Sequence, residues 1–279
     1  MMSQWNAPFT GGPTLNDGVT MPWLGLGVWQ AKDGDEVISA VKSAVETGYR
    51  SIDTAAGYNN EEGVGQAIRE CGVPREELFI TTKVRNPDQG YESTLKAFEL
   101  SRKKLGLEQV DLYLIHWPVA GKYKETWRAL IHLQKEGLVK SIGVSNFQIH
   151  HLQDIIEDSG VVPVVDQVEF HPLLTQRELL KYTQEHDIQL EAWSPLMQGN
   201  LDLPLLKELA ERYGKTPAQI VLRWDLQQGV ITIPKSVHKE RIIENAGFFD
   251  FTLSDEDVKA IENLNQNRRF GPDPDNFNF

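Results

Sequence analysis

Asp53, Tyr58, Lys83 and His116 are the residues of this sequence best suited to acid–base chemistry on a polar double bond. Asp53, Lys83 and His116 each end a short apolar run, and Tyr58 follows Asp53 by five residues in the segment DTAAGYNNEE. If the runs are neighbouring strands, the four side chains converge on one point. A lone tyrosine has a pKa of about 10 and donates its proton poorly at neutral pH. A lysine ammonium a few ångströms away favours the phenolate and lowers that pKa. A carboxylate at Asp53 would hold Lys83 charged and oriented. His116 can donate a hydrogen bond to a carbonyl oxygen and stabilise negative charge growing there. Such a set polarises and protonates a C=O bond. It supplies no electrons, so a hydride donor must come from elsewhere.

Other runs also end in polar or aromatic residues: Gly27-Val28-Trp29, Ser145-Asn146, Gln167-Val168-Glu169, Trp193-Ser194 and Lys235-Ser236. A charged or amide side chain at the end of a buried strand has to be paired. Any one of these could be a satisfied core group, but so many at successive strand ends point to a common site. Lys235, Ser236 and Arg241, in ITIPKSVHKERIIEN, offer two cations and a hydroxyl beside an expected helix N-terminus, a cradle for a phosphate monoester. Trp193 in AWSPL could stack on a planar ring. Ser145, Asn146 and Gln167 could then hydrogen-bond a carboxamide. Three other chemistries compete. Asp53, His116 and His171 could ligate a metal, although no H-x-H or H-E-x-x-H spacing supports this. A serine nucleophile lacks its G-x-S-x-G elbow. Lys83 as a Schiff-base lysine is the stronger rival.

The elements that would position these groups follow from alternation. Strands are expected at Leu24–Gly27, Arg50–Asp53, Leu78–Lys83, Val110–His116, Val139–Ser145, Val164–Glu169, Gln189–Trp193 and Val230–Pro234, with amphipathic helices between them. Asp33 and Glu36 read as a capping pair, and Val37, Val41 and Val45 share one face of the helix that Gly48 stops. Thr216-Pro217 and Ser254 with Asp257 open two later helices. The glycine pairs Gly25/Gly27 and Gly63/Gly65 lack the third glycine and the strand–turn–helix setting of a dinucleotide fingerprint. No linker divides the 279 residues. The expected fold is a single α/β domain spanning residues 1–279, a closed (β/α)8 TIM barrel, with function at the strand ends. Leu15-Asn16-Asp17-Gly18-Val19 reads as a β-hairpin plugging one mouth. NQNRRFGPDPDNFNF reads as an irregular C-terminal loop anchored by Phe270, Phe277 and Phe279.

A net charge of −12 argues against nucleic acid or an anionic membrane as partner. Cys71 is the single cysteine, which excludes an internal disulfide and a cysteine metal cage. The opening MMSQWNAPFTGGPT has neither the basic nor the apolar region of a signal peptide, and no apolar run is long enough to span a membrane. A cytoplasmic protein is expected.

In their order, the motifs GLGVWQ, GYRSIDTAAGYNNEEGVGQAI, ELFITTKV, VDLYLIHWPV, SIGVSNF, QVEFHPLLTQ, EAWSPL and VITIPKS resemble the aldo-keto reductase family from about Leu15 to the C-terminus. The short loops and the ending RRFGPDPDNF are most similar to its bacterial branch, which includes glyoxal, methylglyoxal and 2,5-diketogluconate reductases. The resemblance implies an NADPH-dependent reduction of small aldehydes and ketones by a monomer. Tyr58 would be the general acid, tuned by Lys83 and Asp53, with His116 orienting the carbonyl. NADPH would lie with Trp193 on its nicotinamide and Ser145, Asn146 and Gln167 at the carboxamide. Ser194, Pro195, Leu196, Gln198 and Gly199 would run under the pyrophosphate. Lys235, Ser236, Val237 and Arg241 would take the 2′-phosphate, with Glu244 and Asn245 near the adenine. Trp29, Tyr58, His116 and Trp117 would line the substrate pocket. The alternative is a non-enzymatic, NADPH-binding or redox-sensing module, against which the intact tetrad speaks. Three positions depart from the pattern. Arg85 replaces an aromatic and either turns outward to solvent or places a positive charge at the pocket mouth, where it would favour anionic or strongly polar carbonyls. Asp166 stands where asparagine is usual, beside Gln167, and Gly57 is small enough to loosen the Tyr58 loop.

Overall fold

The structure, a computed structural model, describes residues 11–279. The first ten residues of the segment read above as lacking a signal peptide lie outside the described residues. Eight parallel strands follow one another in chain order: β1 (Gly25–Gly27), β2 (Ser51–Asp53), β3 (Phe79–Val84), β4 (Val110–Ile115), β5 (Val139–Ser145), β6 (Val165–Glu169), β7 (Gln189–Trp193) and β8 (Ile231–Thr232). Parallel bridges between Leu24 and Thr232 and between Gly27 and Lys235 close the sheet into a barrel. This is the expected (β/α)8 architecture. Closure needs a glycine at 27, because a Cβ there would sit 2.9 Å from the Ile233 carbonyl oxygen.

Strand centres match the sequence reading; β5 and β7 agree at both ends, and no other end differs by more than two residues. Ile233 and Pro234 fall outside β8, where proline has no N–H to give the ladder. Near-continuous burial of the strands reflects their position between an inner core and the helical shell. Leu15 and Met21 pack against Phe79, Leu112, Leu114, Val164, Val165 and Ile231 inside the lower barrel. They come from the expected hairpin, where Thr14 bridges Thr20 and the Leu15 N–H bonds Val19 at 2.8 Å. Asn16 ties it to the Pro163 and Asp187 carbonyls just before β6 and β7, so it plugs the N-terminal mouth.

The helix read after Asp33 runs Asp35–Thr47 and stops at Gly48, whose φ of 117° suits glycine. Its expected capping pair is a correction. Gly34 is the N-cap; Asp33 instead accepts from the Gly63 N–H, and Glu36 from the Lys32 N–H. A tertiary contact took the carboxylate that the local motif would have used. Thr216 does form its capping box with Gln219, and Ser254 accepts from the Asp257 N–H. No helix among the described residues is long and apolar enough to cross a membrane.

Candidate active site

The C-terminal ends of the strands surround a cavity of about 570 Å³. Lys83, at the top of β3, is fully buried and uses all three of its donors. It gives them to Asp53 Oδ1 at 2.7 Å, the Thr54 carbonyl at 3.0 Å and the Tyr58 hydroxyl at 3.3 Å. Because the phenol oxygen accepts from the ammonium, its own proton is free for a partner in the cavity. A buried ammonium with every proton engaged is charged and has no lone pair, which speaks against the Schiff-base alternative. Burial disfavours that charge, but Asp53 and Tyr58 outweigh it and hold the Lys83 pKa above its ordinary value.

Tyr58 lies in a short 3-10 turn, Ala56–Tyr58. The turn is pinned from below by buried Asn60, which donates to the Val28 and Ala31 carbonyls and accepts from Thr54. A Cβ on Gly57 would make only ordinary contacts with Arg85 and His116, so the space around this position does not demand glycine. The direction expected for the phenol is reversed. Burial raises the Tyr58 pKa, with Asp53 and Glu191 adding to the rise, and Lys83 only partly opposes it. His116 packs edge-on against Tyr58 with ring centres 5.6 Å apart. Burial, helped by the Lys83 charge, depresses its pKa to about 3, so the imidazole is neutral at working pH.

Across the barrel, Asn146 adopts a left-handed φ of 64°, which asparagine tolerates. It donates to the His116 carbonyl at 2.9 Å and accepts from Trp193 Nε1 at 2.8 Å. Ser145 donates to the Gln167 carbonyl, and Gln167 gives its amide protons to Asp53 Oδ2 and Glu191 Oε2, both at 2.8 Å. Asp166 points to the other face of β6. There it accepts weakly from the Phe147 N–H at 3.4 Å, and burial pushes its carboxyl well up, so it does not touch the carboxamide candidates.

Ser145, Asn146, Gln167, Trp193, Ser194, Gln198 and Lys235 line the cavity, as do Trp29, Tyr58, Arg85, His116 and Trp117. Pro195, Leu196, Gly199, Ser236, Val237, Arg241, Glu244 and Asn245 do not; they continue along the chain from its rim. The side chains of Lys235 and Arg241 are exposed and make no hydrogen bond or ion pair among the described residues. The helix Lys239–Ala246 begins between them without a side-chain cap. Arg85 reaches the mouth, but Asp88 accepts from its guanidinium at 2.5 Å. His171 bonds Glu169 at 3.0 Å and is not gathered with Asp53 and His116, as a metal site would require.

Two contributions were not read from the sequence. Glu191 sits under Gln167. The C-terminal loop forms one wall of the cavity through Phe270, Gly271, Pro272 and Phe279. Glu169 holds that loop by accepting from the Phe270 and Gly271 N–H groups at 2.6 and 3.1 Å. Gly271 lies so close to Trp193 that a Cβ would come within 2.3 Å of the indole. Trp117 packs against Phe277 and Phe279, ring centres 5.2 and 5.3 Å away.

The aldo/keto reductase family profile matches residues 23–266. Glyoxal reductase of Bacillus subtilis is 59% identical over 266 residues, covering 95% of this chain and 96% of the relative. Methylglyoxal reductase DkgA of Escherichia coli K12 is 54% identical over 268 residues, covering 94% and 96%. The crystal structure of a Bombyx mori aldo-keto reductase in complex with NADP superposes with a TM-score of 0.90 at 40% identity, covering 96% of each chain. The matching profile, the relatives and the barrel agree: the chain belongs to the aldo/keto reductase family of oxidoreductases.

Proposed function

We propose that this chain reduces small aldehydes and ketones to alcohols with NADPH, Tyr58 serving as the general acid. The observation that carries this reading is the triple engagement of Lys83, which leaves the Tyr58 proton free at the cavity while Asp53 keeps the ammonium in place. A phenol with a raised pKa is fully protonated at neutral pH. It gives up its proton only as the carbonyl oxygen turns into an alkoxide, a far stronger base. The phenolate left behind is stabilised by the Lys83 charge. Neutral His116 donates a hydrogen bond to the same oxygen and sets its direction.

When bound, NADPH supplies the hydride. The residues present fit it. Trp193 offers a half-exposed indole fixed by Asn146, and the uncapped start of helix Lys239–Ala246 stands between two unpaired cations, Lys235 and Arg241. Ser145, Asn146 and Gln167 would hold the carboxamide. Ser194, Pro195, Leu196, Gln198 and Gly199 would follow the pyrophosphate. Lys235, Ser236, Val237 and Arg241 would bind the 2′-phosphate, with Glu244 and Asn245 at the adenine. Trp29, Trp117 and Arg85 would border the substrate. The names of the bacterial relatives make small dicarbonyls the leading substrate class. We further propose one domain acting as a monomer in the cytoplasm: of the four exposed large hydrophobics among the described residues, Trp29 and Phe279 line the cavity, and Leu100 and Ile243 sit on two different helices.

The test is NADPH oxidation with methylglyoxal and with an aromatic aldehyde, alongside light scattering for the mass. Turnover of neither carbonyl, with NADPH bound, would leave a cofactor-binding module instead.

A further inference from the structure

Glu191 lies in the middle of β7, is fully buried, and points into the barrel beneath the site. Its Oε2 accepts one amide proton of Gln167 at 2.8 Å while Asp53 accepts the other, and its Oε1 has no hydrogen-bond partner. An amide with both N–H groups drawn downward by two carboxyl groups has one orientation available, with its carbonyl oxygen turned toward the cavity that Gln167 lines. A flipped amide would set that oxygen against the carboxylate of Asp53 and waste both donors. We propose that Glu191 is a positioning residue, fixing the Gln167 amide so that its carbonyl oxygen faces the cavity as an acceptor for the cofactor's carboxamide. This rests on the functional reading above.

The surroundings of Glu191 add a second consequence. The titratable groups it faces are Asp53 from β2, Lys83 from β3 and Tyr58 from the loop after β2. Of its neighbouring strands, β6 presents neutral Gln167 and β8 presents Ile231. Burial, reinforced by the nearby Asp53 charge, pushes the carboxyl up to about 8, against the opposing pull of Gln167 and Lys83. Below that pH Glu191 is neutral, and Lys83 and Asp53 form a balanced pair. Above it a second buried negative charge acts on Tyr58 and strengthens its hold on its proton. Turnover should therefore fall as pH rises through about 8.

Glu191→Gln and Glu191→Leu separate these effects when NADPH affinity, the pH profile of kcat and the melting temperature are measured together. The glutamine keeps an acceptor for Gln167 and cannot ionise. It should restore NADPH affinity but remove the alkaline fall in kcat. Leucine frees one amide proton and should weaken NADPH by about tenfold, the scale of one lost polar anchor. A wild-type Kd in folded Glu191→Leu, or an alkaline fall that persists in Glu191→Gln, overturns the proposal. If the leucine variant does not fold, the glutamine profile decides alone. A wild-type protein that binds no NADPH, or a fully active Tyr58→Phe, would instead break the functional reading.

Discussion

At the lower end of the barrel, Phe79 of β3, Leu112 and Leu114 of β4, Val165 of β6 and Ile231 of β8 pack with Leu15 and Met21 of the hairpin. A few residues further along, β3 and β6 carry Lys83 and Gln167, bound to Asp53 and Glu191. The same inward-facing register thus serves two chemistries. The lower layer needs no partner beyond close packing, and its burial favours folding. The upper layer buries charged and amide groups at the floor of the cavity, which costs stability unless each is paired. Its hydrogen bonds leave two sets of groups turned outward, the Tyr58 proton and the faces around Trp193. One end of the barrel is built to fold, and the other is built around what it leaves unpaired.

The contrast breaks most sharply at Tyr58. Tyr58→Phe removes only the hydroxyl, so the fold and NADPH binding should persist while kcat falls by about 10²–10⁴-fold. Steady-state turnover beside fluorescence titration checks both halves. A variant with near wild-type turnover would remove Tyr58 from the acid's role. The matching cut at the other end is Leu112→Ala, expected to cost about 2–5 kcal/mol of unfolding free energy. Its kcat per folded molecule should stay near wild type. Denaturant melts and an activity assay corrected for folded fraction test this, and a selective loss of kcat would show that the two ends are coupled.

Next in size is the phosphate cradle. Arg241→Ala should weaken NADPH by about 1.5–3 kcal/mol, the scale of a charge-assisted hydrogen bond, with little change for NADH. Titrating both cofactors decides it; equal losses would mean that Arg241 does not distinguish the 2′-phosphate.

What was legible in the sequence divides along the same line. Asp53, Lys83 and His116 stood out because an apolar strand that ends in a charge or imidazole is a local signal with few structural explanations. Glu191 was missed because in QLEAW it is one polar residue among apolar ones, and nothing local says whether it faces the barrel or the helices. The wall formed by Phe270 and Gly271 was missed for another reason. Its anchor is Glu169, 101 and 102 positions away in the chain, and no periodicity links positions so far apart. Asp33 shows the opposite error, a sound capping motif overridden by the Gly63 N–H across the fold.

Arg85 carries the smallest expected effect, and its position at the mouth sharpens the comparison between a paired and an unpaired charge. It stands where the sequence suggested a free cation selecting anionic carbonyls. In the structure it lines the cavity, but Asp88 takes its guanidinium, and the Arg85 side chain is 51% exposed. A cation already neutralised and largely hydrated offers a substrate carboxylate little, since an exposed pair is typically worth about 0.2–1 kcal/mol. Lys235 and Arg241, by contrast, have no acidic partner among the described residues and keep their full charge for a ligand. The ratio of kcat/KM for 4-carboxybenzaldehyde to that for benzaldehyde should therefore shift toward the neutral aldehyde by only about twofold in Arg85→Trp. The variant Asp88→Asn, which releases the guanidinium, should move the ratio the other way and further. A large shift in Arg85→Trp alone would mean that the substrate carboxylate displaces Asp88 on binding, which would make Arg85 a true selector of charge.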